Sequence, residues 1–154
     1  MALAVFLSSN CCQAMPQQAM IHYKNAMMLY KTDDLQGAKK ELEIALEYAN
    51  NDPDLHVKLA DVLSKLGYWQ DAIAEYKEAA KLNPTDAFIY ISIGNIYQEQ
   101  NQYENALNSY LHASEIFPDY RFNYLNIANV KSLMGDTKGS IDYYNKFIYY
   151  YPTH

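Results

Sequence analysis

Residues 87–120 read AFIYISIGNIYQEQNQYENALNSYLHASEIFPDY, and the spacing of their apolar side chains decides the fold. Phe88, Ile89, Ile91, Ile93, Ile96 and Tyr97 mark one stretch; after Gln100-Asn101-Gln102, Tyr103, Ala106, Leu107, Tyr110, Ala113 and Ile116 mark a second. Three- and four-residue intervals of this kind put side chains on one face of an α-helix. Pro118 cannot continue a helix, because it lacks the backbone N–H and its ring clashes with the preceding turn. The stretch therefore predicts two short helices joined by a polar turn.

The same pattern recurs on both sides at a spacing of 34 residues. Ala38, Ala72, Ala106 and Ser140 share a column, as do Leu42, Tyr76, Tyr110 and Tyr144. Ala45, Ala79, Ala113 and Phe147 form another, and Asn50, Pro84, Pro118 and Pro152 a fourth. A period in this range means stacked copies of one small unit rather than a single globular core. We expect one domain over residues 15–154, built from units 19–52, 53–86, 87–120 and 121–154, with about eight main helices. Gly67 and Gly135 can take the left-handed conformation that ends a helix. Asn83-Pro84-Thr85-Asp86 stops one helix and caps the next, and Phe117-Pro118-Asp119 is expected to do the same. A column of small residues, Ala26, Ala60, Gly94 and Ala128, lets the paired helices approach closely.

These columns resemble the tetratricopeptide repeat family, whose pattern joins an aromatic, a Leu-Gly pair, a Tyr, an Ala, a Phe and a Pro. The best copy reads Tyr90, Ile93-Gly94, Tyr97, Ala106, Tyr110 and Pro118, and the resemblance covers residues 19–154. The first copy departs from it, with Asn25 for a large aliphatic residue and Asn50 for the proline, as suits a terminal unit facing water. The resemblance implies an all-α fold, a right-handed α-solenoid whose first helices line a concave groove, and a non-enzymatic adaptor or scaffold in protein–protein interaction.

Composition narrows the partners. The net charge is −6, and eleven of the twelve cationic residues are lysine, leaving Arg121 as the one arginine. Nucleic acid and anionic membrane surfaces are poor partners for such a chain. No run approaches the roughly 18 consecutive apolar residues of a membrane span. Cys11 and Cys12 are adjacent, which suits neither a stapling disulfide nor a zinc site. Ala2 to Leu7 is apolar and Cys12-Gln13-Ala14 offers small residues at a cleavage point, so residues 1–14 resemble the latter half of a secretory signal peptide. The absent Lys or Arg and the short apolar run speak for a frayed extension instead. Export to a periplasmic or extracellular space and residence in the cytoplasm both stay open.

No catalytic, cofactor or metal grouping stands out. His22 and His56 lie 34 residues apart in a column shared with Tyr90 and Tyr124, so they are read as packing aromatics rather than metal ligands. The groove is expected to present Tyr23, Lys58, Phe88, Asn95, Phe122, Asn126 and Asn129. Phe88 and Phe122 share one column and Asn95 and Asn129 another, so stacking sets each pair side by side. An asparagine offers a donor and an acceptor, which suits it to hold an extended peptide backbone, with the phenylalanines beside it as apolar pockets. Some family members clamp terminal carboxylates with Lys, Arg and Asn, but the matching places here hold Tyr23, Met27, Lys58, Phe88 and Ser92. An alternative reading is a self-assembling scaffold docking through an uncapped aromatic end, Tyr144, Phe147, Ile148 and Tyr151.

Overall fold

The computed structural model describes residues 15–149. Residues 1–14, with the export signal expected there, and Tyr151 lie outside the described residues. Eight helices follow in order: α1 (Gln17–Lys31), α2 (Leu35–Tyr48), α3 (Pro53–Lys65), α4 (Trp69–Leu82), α5 (Ala87–Glu99), α6 (Tyr103–Ile116), α7 (Phe122–Leu133) and α8 (Thr137–Ile148). Each packs most extensively within a pair, α1 on α2, α3 on α4, α5 on α6 and α7 on α8, and each pair contacts the next through its second helix. The result is an all-α solenoid. No helix among the described residues is long and apolar enough to cross a membrane.

Both kinds of turn are written into side-chain chemistry. Within each unit the chain reverses through one residue of left-handed conformation: Asp33 (φ 63°), Gly67 (φ 78°), Asn101 (φ 57°) and Gly135 (φ 82°), again 34 residues apart. Glycine takes this conformation without a Cβ penalty, and Asp and Asn tolerate it better than other side chains. Asp34 and Asp136 then accept hydrogen bonds from the Gly37 and Gly139 amides, 2.9 Å each, capping α2 and α8. Between units, Asp52 caps α3 from the Asp54 and Leu55 amides, and Asp86 caps α5 from the Phe88 amide.

The third junction departs from the expectation of a repeated cap. The position of Asp52 and Asp86 is taken by Tyr120, and α7 begins behind Arg121 without a side-chain cap. A phenol there cannot reach back to an N–H of the first turn as a short carboxylate does, so that end of α7 is held by packing of aromatic rings instead.

The small column works as expected. Ala26, Ala60 and Ala128 are fully buried, and a Cβ on Gly94 would stand 2.5 Å from Cε1 of Tyr110. Tyr110, itself fully buried, fills the space that Gly94 leaves. Asn123 and Ser140 are the polar residues buried in the core among the described residues, and Asn123 is the larger departure. It is 1% exposed in a column otherwise held by Ile21, Leu55 and Ile89; its Nδ2 donates to the Tyr110 carbonyl (2.6 Å) and Ser114 Oγ (2.8 Å), while its Oδ1 is buried without a partner.

The left-handed column yields a prediction with a sign. Gly67→Ala should cost about 1–2 kcal/mol, because alanine meets the left-handed penalty, whereas Asp33→Gly should be neutral or stabilising by up to about 1 kcal/mol. Urea denaturation of the two variants compares them directly. Equal losses in both would contradict a backbone-determined column.

Candidate peptide-binding groove

A hydrogen bond repeated along the stack organises the face formed by the first helices. Tyr76 Oη donates to Asp61 Oδ1 (2.6 Å), Tyr110 Oη to Asn95 Oδ1 (2.7 Å) and Tyr144 Oη to Asn129 Oδ1 (2.7 Å). Donor and acceptor are 15 residues apart each time, from the second helix of a unit to its first. In the first unit Met27 and Leu42 occupy the two positions, and the pair is absent. Tyr110 Oη also lies 3.1 Å from Gln98 Oε1, but a hydroxyl carries one proton and the shorter contact to Asn95 takes it.

This bond changes what the asparagines can offer. The phenol occupies one of the two lone pairs of Oδ1 and fixes the plane of the amide, so the Nδ2 group and the second lone pair are what Asn95 and Asn129 still offer. Asn126, half-buried one turn before Asn129, makes no side-chain hydrogen bond to the described residues. In the second unit Asp61 supplies a carboxylate instead, and Lys58 Nζ lies 3.1 Å from its Oδ2. A small cavity of about 70 Å³ there is lined by Met27, Tyr30, Lys58, Asp61 and Val62. Tyr23 is half-buried against the core, and Lys65 Nζ sits 4.2 Å above the Tyr30 ring.

The phenylalanines are not beside the asparagines. Phe88 and Phe122 lie in the first turn of α5 and α7, seven residues or roughly 10 Å along the axis from Asn95 and Asn129. There they join a strip of rings along one rim. Phe88 meets Tyr120 at 5.0 Å and Phe117 at 6.2 Å; Tyr120 meets Phe122 at 5.8 Å, and Phe122 meets Phe147 at 5.7 Å. Arg121 lies over both Phe122 (5.2 Å) and Phe147 (5.3 Å). Phe88 and Phe122 remain half exposed. Phe117 and Tyr120 escaped the sequence reading because they sit in an inter-unit turn, outside any helical column; the run of aromatics from 117 to 122 was the available sign.

The residues expected at a self-docking end are divided as well. Tyr144 points to Asn129 and Phe147 to Phe122, so both serve the first-helix face, and only Ile148, 61% exposed, faces outward together with Ile141. His22 and His56 hold more than a packing role. Their Nδ1 atoms lie 2.8 Å from Glu41 and 2.7 Å from Glu75, and the Glu41 carboxyl is held below its usual range chiefly by the His22 hydrogen bond. Among the described residues no group of three or more His, Cys, Asp and Glu converges as a metal site.

Comparison with known proteins comes to the same architecture. Family models described as TPR repeat or tetratricopeptide repeat match residues 65–101, 89–120 and 123–154. The crystal structure of MamA is similar with a TM-score of 0.80 at 18% identity, covering 86% of this chain and 78% of that one. YrrB, a TPR protein described as having an unusual peptide-binding site, gives 0.73 at 21% identity over 84% of this chain and 67% of its own. The first TPR of Spaghetti (RPAP3), bound to the HSP90 peptide SRMEEVD, gives 0.71 at 16% identity over 77% and 94%. At such identities the likeness is one of fold. No curated protein matches the chain by sequence.

The buried phenols make the stack sensitive to alkali. Burial, then the Asp61 carboxylate, holds Tyr76 well above the ordinary tyrosine range, and burial, then the charge of Glu99, does so for Tyr110. A folded-state pKa above the unfolded value of about 10 contributes stability that is fully present below that pH and is lost as pH rises through the folded value. In an alkaline titration followed by tyrosinate absorbance and circular dichroism, these two tyrosines should ionise only as helix is lost. In Tyr110→Phe the delayed class should shrink by one. Ionisation of all tyrosines before any loss of helix would contradict the buried geometry.

Proposed function

Because the chain belongs to the tetratricopeptide repeat family, we propose that it is a non-enzymatic adaptor that binds an extended segment of a protein partner along the groove of its first helices. The observation that carries this reading is the matched pair Asn95 and Asn129, one unit apart, each with its amide plane fixed by a tyrosine hydroxyl that bonds its Oδ1. Donors repeated in this way suit backbone carbonyls of an extended chain, and they hold a peptide without reading its side chains. Asn126 adds a third amide in the last unit. The half-exposed rings of Phe88 and Phe122 at the rim supply anchors for apolar side chains, which is where sequence preference would arise. A solved tetratricopeptide repeat of the same fold holds a peptide, which supports the class of ligand.

With a captured partner peptide, calorimetry separates the two roles. Asn95→Ala and Asn129→Ala should each weaken all peptides alike by about 1 kcal/mol, while Phe88→Ala or Phe122→Ala should cost about 1–3 kcal/mol and change the ranking of peptides. Undiminished affinity in the Asn95→Ala, Asn129→Ala double variant would sink the groove reading.

A second reading, assembly with further copies, draws on the exposed Ile141 and Ile148 of α8. Sedimentation across a wide concentration range checks it: association should fall in Ile141→Ser, Ile148→Ser, and a strict monomer at high micromolar concentration would exclude it.

A further inference from the structure

The face of α5 opposite Asn95 bears Tyr90, Ile93 and Tyr97, and these side chains floor an open cavity of about 560 Å³ between α4 and α6. Its existence follows from two small residues. Shifted by one unit toward the N-terminus, Ala80 corresponds to Leu46 and Ser109 to Glu75, both larger side chains, the latter reaching His56 at 2.7 Å. Shifted toward the C-terminus, Ser109 corresponds to Tyr143, whose ring packs on Tyr124 at 6.2 Å, and Lys77 to Leu111. The junction between α4 and α6 alone carries both Ala80 and Ser109.

Charge changes at the same place. The positions of Lys77, Lys81 and His112 hold Glu43, Glu47 and Glu78 one unit earlier, so an acidic junction is followed by a basic one. No carboxylate lines the cavity, in a chain of net charge −6. Lys77 has no side-chain partner among the described residues, while Lys81 pairs with Glu78 (2.6 Å) and His112 with Glu115 (3.2 Å), and the His112 ring stands edge-on to Tyr90 at 4.4 Å. Asn105 and Asn108 add amides along the α6 wall.

We propose that this cavity is a second binding site, on the opposite side of the stack from the groove, for an acidic segment of a protein partner. An apolar side chain of that segment lies on Tyr90, Ile93 and Tyr97, and its carboxylates meet Lys77 and Lys81, which stand one helical turn apart, roughly 6 Å along α4. The occupant is a chain rather than an engulfed small molecule, because the space is a furrow open along the two helices and not an enclosed pocket. This site is independent of the groove.

The test is a differential selection from a random dodecapeptide library on the full chain and on two variants checked for folding by circular dichroism. Ala80→Leu, Ser109→Tyr fills the furrow with residues that the adjacent units already accommodate; Lys77→Glu, Lys81→Glu reverses its charge at exposed positions, and carries the comparison should the filled variant not fold. Peptides retained by the wild type and lost by the variants should be rich in Asp and Glu interleaved with Leu, Ile or Phe. They should bind the charge-reversed variant at least about tenfold more weakly than the wild type. The same peptides recovered on all three proteins, or a lost set without acidic enrichment, would overturn the proposal. So would 3-phenylpropionate binding as tightly as the peptides and shifting the Asn105 and Asn108 amide resonances, since that outcome describes a site for free organic acids.

Discussion

A phenol buried between two helices has to find an acceptor, and much of this structure follows from how three of its units meet that demand. Leaving the hydroxyls of Tyr76 or Tyr110 unpaired would cost roughly 1–3 kcal/mol each, a large share of the stability of so small a unit. The ring must also fit, and it fits because the facing column is alanine or glycine. The small residue, the ring and the acceptor are thus one device: Gly94 admits Tyr110, and Tyr110 reaches Asn95. What addresses the groove is decided in the core, since the same bond that satisfies the phenol orients the amide.

The first unit shows what happens without the device. Met27 and Leu42 close the same gap by apolar contact alone, and no oriented amide results. Its polar contact between the two helices is the one it shares with the second unit, where His56 meets Glu75: His22 bonds Glu41, and Asn25 reaches the same carboxylate at 3.2 Å. Because each unit touches only its neighbours, such local exchanges are tolerated without disturbing the stack. The loss of a cap at Tyr120 is of the same kind: a carboxylate gives way to a ring, and the junction gains an aromatic strip.

The legible part of the fold was whatever repeats with the period. Two helices per unit, the tight approach at Ala60 and Gly94, and the tetratricopeptide resemblance all rest on columns that can be compared without coordinates. The columns of Asp61, Asn95 and Asn129 and of Tyr76, Tyr110 and Tyr144 were equally visible, but not that they face each other, because a 15-residue offset crosses from one helix to its partner. Phe88 was expected beside the asparagines and stands in the first turn of α5, seven residues before Asn95, since helical periodicity reports the angle around an axis more readily than the distance from other groups along it. The asparagine at 123 was passed over for a simpler reason: it breaks its column, and a search for recurrence discounts the residue that fails to recur.

The departures from the columns also differ from the consensus in what they build. Residues that recur, such as Ala72, Ala106 and Ile93, build the spine and would be needed whatever the chain binds. Ala80 and Ser109 differ from their counterparts in size, Lys77 and Lys81 from theirs in charge, and all four meet at one junction. A random scatter of substitutions would leave voids filled by neighbours and charges compensated close by, as Glu43 does for Lys39. Here the exchanges add up, opening space and removing carboxylates together, with α5 as the common floor. The same helix turns Asn95 toward one side and Tyr90, Ile93 and Tyr97 toward the other, and Ala87, Ile89, Ile91, Ile93, Gly94 and Ile96 are buried along it, which accounts for its being the most apolar of the eight.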